Sequence, residues 1–255
     1  MSRRGRTLVV LAVVIASVLV VSRGAGAAPQ IPIPKISIDV GTADKPQEVS
    51  GALKILLLLT VLSLAPAILI LMTSFTRIMV VLSFVRNALA TQQMPPNQVL
   101  IGLALFLTFF VMSPVWNQVN DNALQPYLAG EIAQDRAMEL ALKPVREFML
   151  KQTREKDLEL FIGLGGFPRP NTPDDVPTYA IVPAFCLSEL KTAFQIGFMV
   201  FVPFLVIDMV VAATLMSMGM LMLPPMMISL PFKILLFVLV DGWHLITKSL
   251  LLSFK

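Results

Sequence analysis

Charged side chains inside long apolar segments are the residues of this sequence that could do chemistry. Asp208 stands alone between Phe198 and Met216, and Lys233 follows beyond a Pro-Pro turn. An aspartate at the centre of a membrane helix costs about 2.5–3.5 kcal/mol, so it normally faces a protein interior and has a partner. Lys233 is the candidate partner, in the same subunit or in a neighbour. The alternative is a proton relay, but relays normally use a chain of acidic or histidine groups.

Glu189, Lys191 and Asp241 are further charges of this kind. Polar residues recur around Glu189 at a spacing of three to four and would share one helix face: Ser188, Thr192 and Gln195. A polar face on an apolar helix indicates a water-lined path, a seam between subunits or a satisfied helix–helix interface. The residues alone leave these three open.

A methionine-rich break separates two apolar segments near the C-terminus. Six of the fifteen methionines lie within twelve residues: Met216, Met218, Met220, Met222, Met226 and Met227. Gly219, Pro224 and Pro225 interrupt helical structure there. Methionine is flexible and polarizable, so it can re-pack around changing partners. The cluster predicts a soft constriction that seals and yields, with ordinary apolar packing as the alternative.

Composition excludes several classes of protein. Apolar residues make up 56% and charged residues 14% of the chain, against about 45–50% and about 25% in soluble domains. This composition indicates a membrane protein. One cysteine, Cys186, and one histidine, His244, exclude an intrachain disulfide, a CxxC metal site and a multi-histidine metal cluster. No basic stripe or catalytic motif is visible, so we expect no nucleic acid partner, metal, cofactor or enzymatic activity.

The N-terminus has the pattern of a secretory signal peptide over residues 1–27. Three arginines precede a short apolar run, and Ala25-Gly26-Ala27 supplies small residues for cleavage after Ala27. A retained first membrane helix is the alternative, although the run is short of the about 20 residues that spanning needs. Cleavage would place the mature N-terminus outside the cytoplasm, followed by a Pro-rich leader over residues 28–50.

Residues 51–116 predict a first helical hairpin. Residues 78–85 are too short to span a membrane alone, so we expect them to continue the first helix. The chain then turns at Pro95 and Pro96. Arg77 and Arg86, next to that turn, agree with a cytoplasmic location for it.

Residues 117–180 predict a small helical domain, because they hold ten of the sixteen acidic residues. Within it, one helix is expected over residues 131–142 and another that begins near Pro144. Residues 181–255 return to apolar composition and predict a second hairpin, whose last helix spans residues 232–252. With a cleaved signal, both turns face the cytoplasm and the helical domain faces the periplasm.

Two of these segments, residues 183–197 and 231–243, resemble the signature segments of the FliP family of flagellar type III export-gate proteins. Further matches to the family pattern are residues 75–86, 203–208 and 220–225. The resemblance covers about residues 52–255.

The resemblance implies an all-α, membrane-associated protein with two long helical hairpins and a small periplasmic helical domain. It also implies a pentameric ring, assembled with FliQ-like and FliR-like subunits in the inner membrane at the flagellar basal body. Unfolded flagellar proteins would be exported through this ring, which also contacts membrane lipid. The family's methionine-rich gasket maps onto Met220, Leu221 and Met222, where the leucine is stiffer than methionine.

Two other functions remain open. The injectisome homologue has the same hairpins and motifs but typically lacks a cleaved signal, so residues 1–27 favour the flagellar form. An ion-channel or transporter subunit is the alternative from another class. It should show a ring of charges or a carbonyl filter, and neither is visible in the sequence.

Overall fold

Apolar runs broken by proline, glycine and polar residues fold into a series of helices. The computed structural model describes residues 56, 59–60, 62–64, 66–91, 93–167, 170, 172–220 and 222–254, all of which belong to one unit, residues 55–255. All regular secondary structure among these residues is helical, as predicted. The predicted signal peptide with Ala25 and Ala27, the leader over residues 28–50, and Leu221 lie outside the described residues.

The helices follow one another in the order α1 (Phe75–Ala88), α2 (Asn97–Val119), α3 (Gln134–Gln152), α4 (Glu155–Leu164), α5 (Thr178–Ser217), α6 (Pro225–Leu239) and α7 (Gly242–Leu252). Residues 56, 59–60, 62–64 and 66–71 are also helical. A π-helical turn, Asn120–Leu124, and a short helix, Gln125–Leu128, extend α2, and a 3-10 turn, Pro173–Asp175, precedes α5.

Two helices are long and apolar enough to cross a membrane. They occupy Asn97–Leu128 and Thr178–Ser217. Helices α6 and α7, bent by 65° at their junction, would make a third if the pair acts as one span. Length and composition support this conclusion, because a span needs about 20 apolar residues.

The first apolar stretch does not continue through residues 78–85, so that prediction was wrong. The helix ends at Leu71, and α1 begins at Phe75. Between them, the Thr73 hydroxyl donates to the Leu69 carbonyl and accepts a 3.4 Å hydrogen bond from the Phe75 amide. A hydroxyl that bonds to nearby backbone groups competes with the regular helical ladder, and this favours a break.

Pro144 does not begin a helix, contrary to the prediction. It lies buried inside α3, which continues through it to Gln152. Proline removes one backbone hydrogen bond in a helix interior. The packing of Met149 at 0% exposure in the apolar cluster with α4 and α5 favours a continuous helix nevertheless, because tertiary contacts override local propensity.

The predicted helix over residues 232–252 is instead two helices, α6 and α7. Asp241 adopts a left-handed conformation at φ +50° and stands at the N-terminus of α7. A Cβ atom at Gly242 would come within 2.3 Å of the Phe237 ring. Glycine therefore permits the close approach that allows the chain to bend here.

The larger core cluster is built on α1, which packs along α2 and α5. Ile78, Val81, Leu82 and Val85 recur on one helix face and are all fully buried. The second cluster joins α3 and α4 to the start of α5. These two helices lie within residues 117–180, the predicted helical domain, and from here on we use that name for α3 and α4 alone. Phe148 packs against both clusters and so links this domain to α1.

Candidate functional site: buried charges and a methionine-rich turn

Asp208 and Lys233 meet between α5 and α6. Lys233 Nζ donates to Asp208 Oδ2 at 2.6 Å, and the hydroxyl of Ser229 donates to Asp208 Oδ1 at 2.5 Å. The lysine side chain is 2% exposed and the aspartate side chain 29%. Ser229 precedes Lys233 by one helical turn, which places both donors on the same face of α6. Ser229 is not among the residues predicted from the sequence, although its spacing of four from Lys233 was a usable signal.

Glu189 is paired with Arg77, which the sequence predicts next to the turn at Pro95 and Pro96. In the structure Arg77 lies in the first turn of α1, at the end of that helix far from Pro95 and Pro96, and is 2% exposed. The side of the membrane that the turn faces stays a prediction. The Arg77 guanidinium binds the fully buried carboxylate of Glu189 with two nitrogens: Nε donates to Oε2 at 2.9 Å, and Nη2 donates to Oε1. Such two-point pairing of arginine with a carboxylate is among the stronger side-chain interactions.

Arg77 also reaches the helical domain and the C-terminal residues. Its Nη1 donates to the Ser253 carbonyl at 2.8 Å, and Nη2 donates to Gln152 Oε1 at 3.0 Å. The guanidinium carbon lies 3.9 Å from the centre of the Phe254 ring. One buried side chain therefore connects α1, α3, α5 and the residues that follow α7. We call Arg77, Gln152, Glu189, Ser253 and Phe254 the arginine cluster.

Ser188 contacts the helical domain through Asp157. The Ser188 hydroxyl donates to Asp157 Oδ2 at 2.5 Å and accepts from the Arg154 amide at 3.0 Å, while Arg154 Nη2 also donates to Asp157. Burial raises the pKa of Asp157, but these hydrogen bonds and the charges of Arg154 and Lys191 together hold the pKa below its ordinary value.

The polar face on α5 is therefore divided between inside and outside. Ser188 and Glu189 are buried in contacts with other parts of the same chain. Lys191 and Gln195 are exposed, and Thr192 is half-buried. Of the three interpretations that the sequence left open, a satisfied interface accounts for the two buried residues, and that interface lies within the chain.

The methionine-rich turn joins α5 to α6. The amide of Met220 bonds to the Leu215 carbonyl at 3.0 Å, and the amide of Gly219, at φ +76°, bonds to the Met216 carbonyl at 3.1 Å. This pattern is a Schellman motif, which ends a helix at a left-handed glycine. Pro224 and Pro225 then stand at the N-cap and first position of α6, where a missing amide hydrogen costs nothing.

The side chains of this turn are largely uncovered. Met222 is 98% exposed, and Met220 is half-buried. Four further methionines are each more than half exposed: Met216, Met218, Met226 and Met227. Contiguous apolar surface of this kind marks a binding site for another protein or for a membrane.

Asp241 takes part in none of these clusters. Its side chain is exposed, and its carbonyl accepts the Leu245 amide at 3.1 Å. Among the described residues, no three or more histidine, cysteine, aspartate or glutamate side chains come together as a metal site. The arrangement holds helices together by buried ion pairs and presents an apolar turn.

Comparison with known proteins shows where this architecture belongs. The model of the FliP family matches residues 58–250. The chain belongs to the FliP family. The flagellar biosynthetic protein FliP of Bacillus subtilis (strain 168) is 63% identical over 217 residues, covering 85% of this chain and 98% of that protein. FliP of Pectobacterium carotovorum is 60% identical over 199 residues, covering 78% of this chain and 77% of that protein.

A more distant relative extends the same match. FliP of Aquifex aeolicus is 47% identical over 225 residues, which cover 88% of this chain and 92% of that protein. The resemblance to the FliP family is thus confirmed, and the chain is a flagellar biosynthetic protein, a membrane component of the flagellar export apparatus. The FliP match includes the Asp208–Lys233 pair, the Arg77–Glu189 pair and the methionine-rich turn.

The pH dependence of this FliP protein should depend on Asp157. A lowered pKa means that the charged carboxylate stabilises the fold above the ordinary aspartate pKa of about 3.9, and that this stabilisation is lost as pH falls through the lower folded-state value. Hydrogen bonds to charged groups contribute about 1.5–3 kcal/mol and neutral ones about 0.5–1.5 kcal/mol. Asp157→Asn keeps an acceptor oxygen and loses the charge, so it should lower stability by about 1 kcal/mol at pH 7.

The measurement is the unfolding temperature of the detergent-solubilised chain between pH 7 and pH 3. The difference between wild type and Asp157→Asn should shrink towards the acid end. Glu159→Gln, an exposed change on the same helix, is the control and should leave the profile unchanged. A difference that stays constant with pH would show that the carboxylate charge is not what stabilises this contact.

Proposed function

We propose that the chain is a core subunit of the flagellar type III protein export gate. In this proposal, five copies form a ring with FliQ-like and FliR-like subunits, and unfolded flagellar proteins pass through it across the inner membrane. The role is structural, with no reaction catalysed. Membership of the FliP family and the helices long enough to span a membrane support the proposal.

The proposed arrangement has two helical hairpins, formed by the segment up to α2 and by α5 to α7. The helical domain lies in the periplasm and both turns face the cytoplasm, after removal of a signal peptide behind Ala27. The packing of α1 on α2 and of α5 on α6 agrees with these hairpins. N-terminal sequencing of protein purified from membranes tests the cleavage, since a chain that still begins at residue 1 or 2 contradicts it.

The exposed methionine-rich turn is the observation that carries the proposal. We assign Met220, Leu221 and Met222 to the narrowest point of the conduit. In a ring, each copy would contribute the same short apolar turn, so these side chains would converge on the axis. Long flexible apolar side chains exclude water at rest, and they can part around a polypeptide of any sequence because they demand no fixed hydrogen-bond pattern.

Truncation of the turn tests this assignment. Alanine at Met220, Leu221 and Met222 should shorten the collar, so cells that make the triple variant become permeable to small ions and grow poorly while the ring still assembles. The control is alanine at three exposed apolar residues elsewhere: Leu128, Met138 and Leu142. Unchanged ion permeability with an assembled triple-alanine ring would contradict the seal.

A further inference from the structure

An open groove with apolar walls and charged borders lies between the membrane-type helices and the helical domain. Its volume is about 790 Å³, and α2, α3, α7 and Phe254 line it. This volume is within the about 300–1,000 Å³ that is usual for ligand sites. Each helix contributes one face: on α7, for example, His244, Lys248 and Leu251 recur at a spacing of three to four.

The walls and the borders of the groove differ in chemistry. The α2 side is mainly apolar, and Phe110, which is 69% exposed, belongs to it. The charged lining residues are Glu147 and Lys151 on α3 and Lys248 on α7, so two lysines stand against one glutamate. All three are exposed, and within the described part of the chain neither lysine forms an ion pair.

We propose that this groove binds an anionic phospholipid of the surrounding bilayer. An acyl chain would cover the apolar walls along α2 and α7, and the phosphate would pair with Lys151 and Lys248. The location fits, because α2 belongs to a segment able to span a membrane and α3 to the charged helical domain. Lysine side chains at the edge of a membrane-spanning segment attract anionic lipid head groups.

A lipid fits this groove better than an apolar helix of another protein. A helix seated on these walls would cover Lys151 and Lys248 with only Glu147 among the charged lining residues to offset them, and buried charges are costly unless they are paired. A phospholipid brings its own negative charge and leaves both amines at the water interface, where long lysine side chains prefer to lie. This inference does not depend on the conduit proposed above, only on the chain being in a membrane.

Native mass spectrometry of the full chain in mild detergent measures the binding. Phosphatidylglycerol and phosphatidylcholine with identical palmitoyl and oleoyl chains are the probes. Each of the two lysines contributes about 1 kcal/mol near an anionic lipid, so phosphatidylglycerol should bind about thirtyfold more tightly, and Lys151→Gln with Lys248→Gln should remove about that factor. Lys143→Gln with Lys156→Gln, two exposed lysines outside the groove, should leave the preference unchanged.

Three results would overturn the proposal. The first is equal retention of the two lipids by the wild-type chain, and the second is a preference that survives loss of both groove lysines. The third comes from a photo-reactive benzophenone residue in place of Leu252, a lining residue that is 51% exposed. A lipid adduct in cells supports the proposal, whereas an adduct with a second copy or another protein shows that protein covers the groove. Because the glutamine changes are at exposed positions, an unchanged circular dichroism spectrum verifies folding.

Discussion

Arg77→Met is expected to destabilise the chain by about 3–5 kcal/mol, because it leaves the carboxylate of Glu189 buried without a partner. Glu189 is fully buried, and its carboxylate accepts two hydrogen bonds from Arg77. The same substitution also removes the donors to Gln152 and Ser253, so the helical domain and the residues after α7 lose their common anchor. The expected phenotype is a chain that is degraded in cells and does not support motility.

The measurement is the steady-state amount of chain in membranes, together with its protease resistance after solubilisation. Arg136→Met is the matched control, since Arg136 pairs with Glu139 at 57% side-chain exposure and exposed pairs contribute about 0–1 kcal/mol. The double variant Arg77→Met with Glu189→Leu removes both charges and should recover part of the stability. Normal amounts of the single variant would show that the arginine cluster is not a structural anchor.

Asp208→Ala should give the second large effect, a loss of ring assembly on native gels. Removing one partner of a buried pair costs about 3–5 kcal/mol, and Lys233 would remain 2% exposed without its carboxylate. The cost should lie at the lower end, because the Asp208 side chain is itself 29% exposed. Asp208 is in this view an assembly residue that keeps α5 and α6 in register.

A second substitution separates assembly from proton transfer. Asp208→Asn keeps one acceptor oxygen for Lys233, and its new amide can donate to the Ser229 hydroxyl, but it leaves the lysine without a counter-charge and cannot carry a proton. In our view, export by this variant falls only as far as its assembly falls. Asp241→Asn is the control, because Asp241 is exposed and asparagine tolerates its left-handed backbone. An Asp208→Asn ring that assembles normally yet exports nothing would favour the relay and contradict the structural role.

Patterns within one segment were read correctly from the sequence. The apolar composition and uncharged runs predicted helices able to span a membrane, and the signature segments identified the family. Gly219, Pro224 and Pro225 do interrupt the chain between α5 and α6. The proximity of Asp208 and Lys233 was accessible too, because 25 residues separate them across one turn.

Errors arose where local rules competed with packing. Proline rules predicted a new helix at Pro144, yet the helical domain keeps α3 continuous. The apolar composition of residues 232–252 predicted one helix. Hydropathy gives no information about the left-handed backbone at Asp241 or about the close approach of the Phe237 ring to Gly242. Likewise, the hydroxyl of Thr73 ends the first helix earlier than its apolar run suggested.

The sequence by itself determined the class of this protein, its family and the turn that carries its exposed methionines, because composition, periodicity and helix-breaking residues act over a few neighbouring positions. Only the tertiary structure decided that Arg77 is a buried anchor, since its partners Glu189 and Ser253 lie 112 and 176 residues away. A charged residue at the end of an apolar segment looks the same in a sequence whether its side chain faces water or a buried partner. The packing of α1 against α5 brings these two charges together and shields them from water, and that arrangement depends on the whole fold.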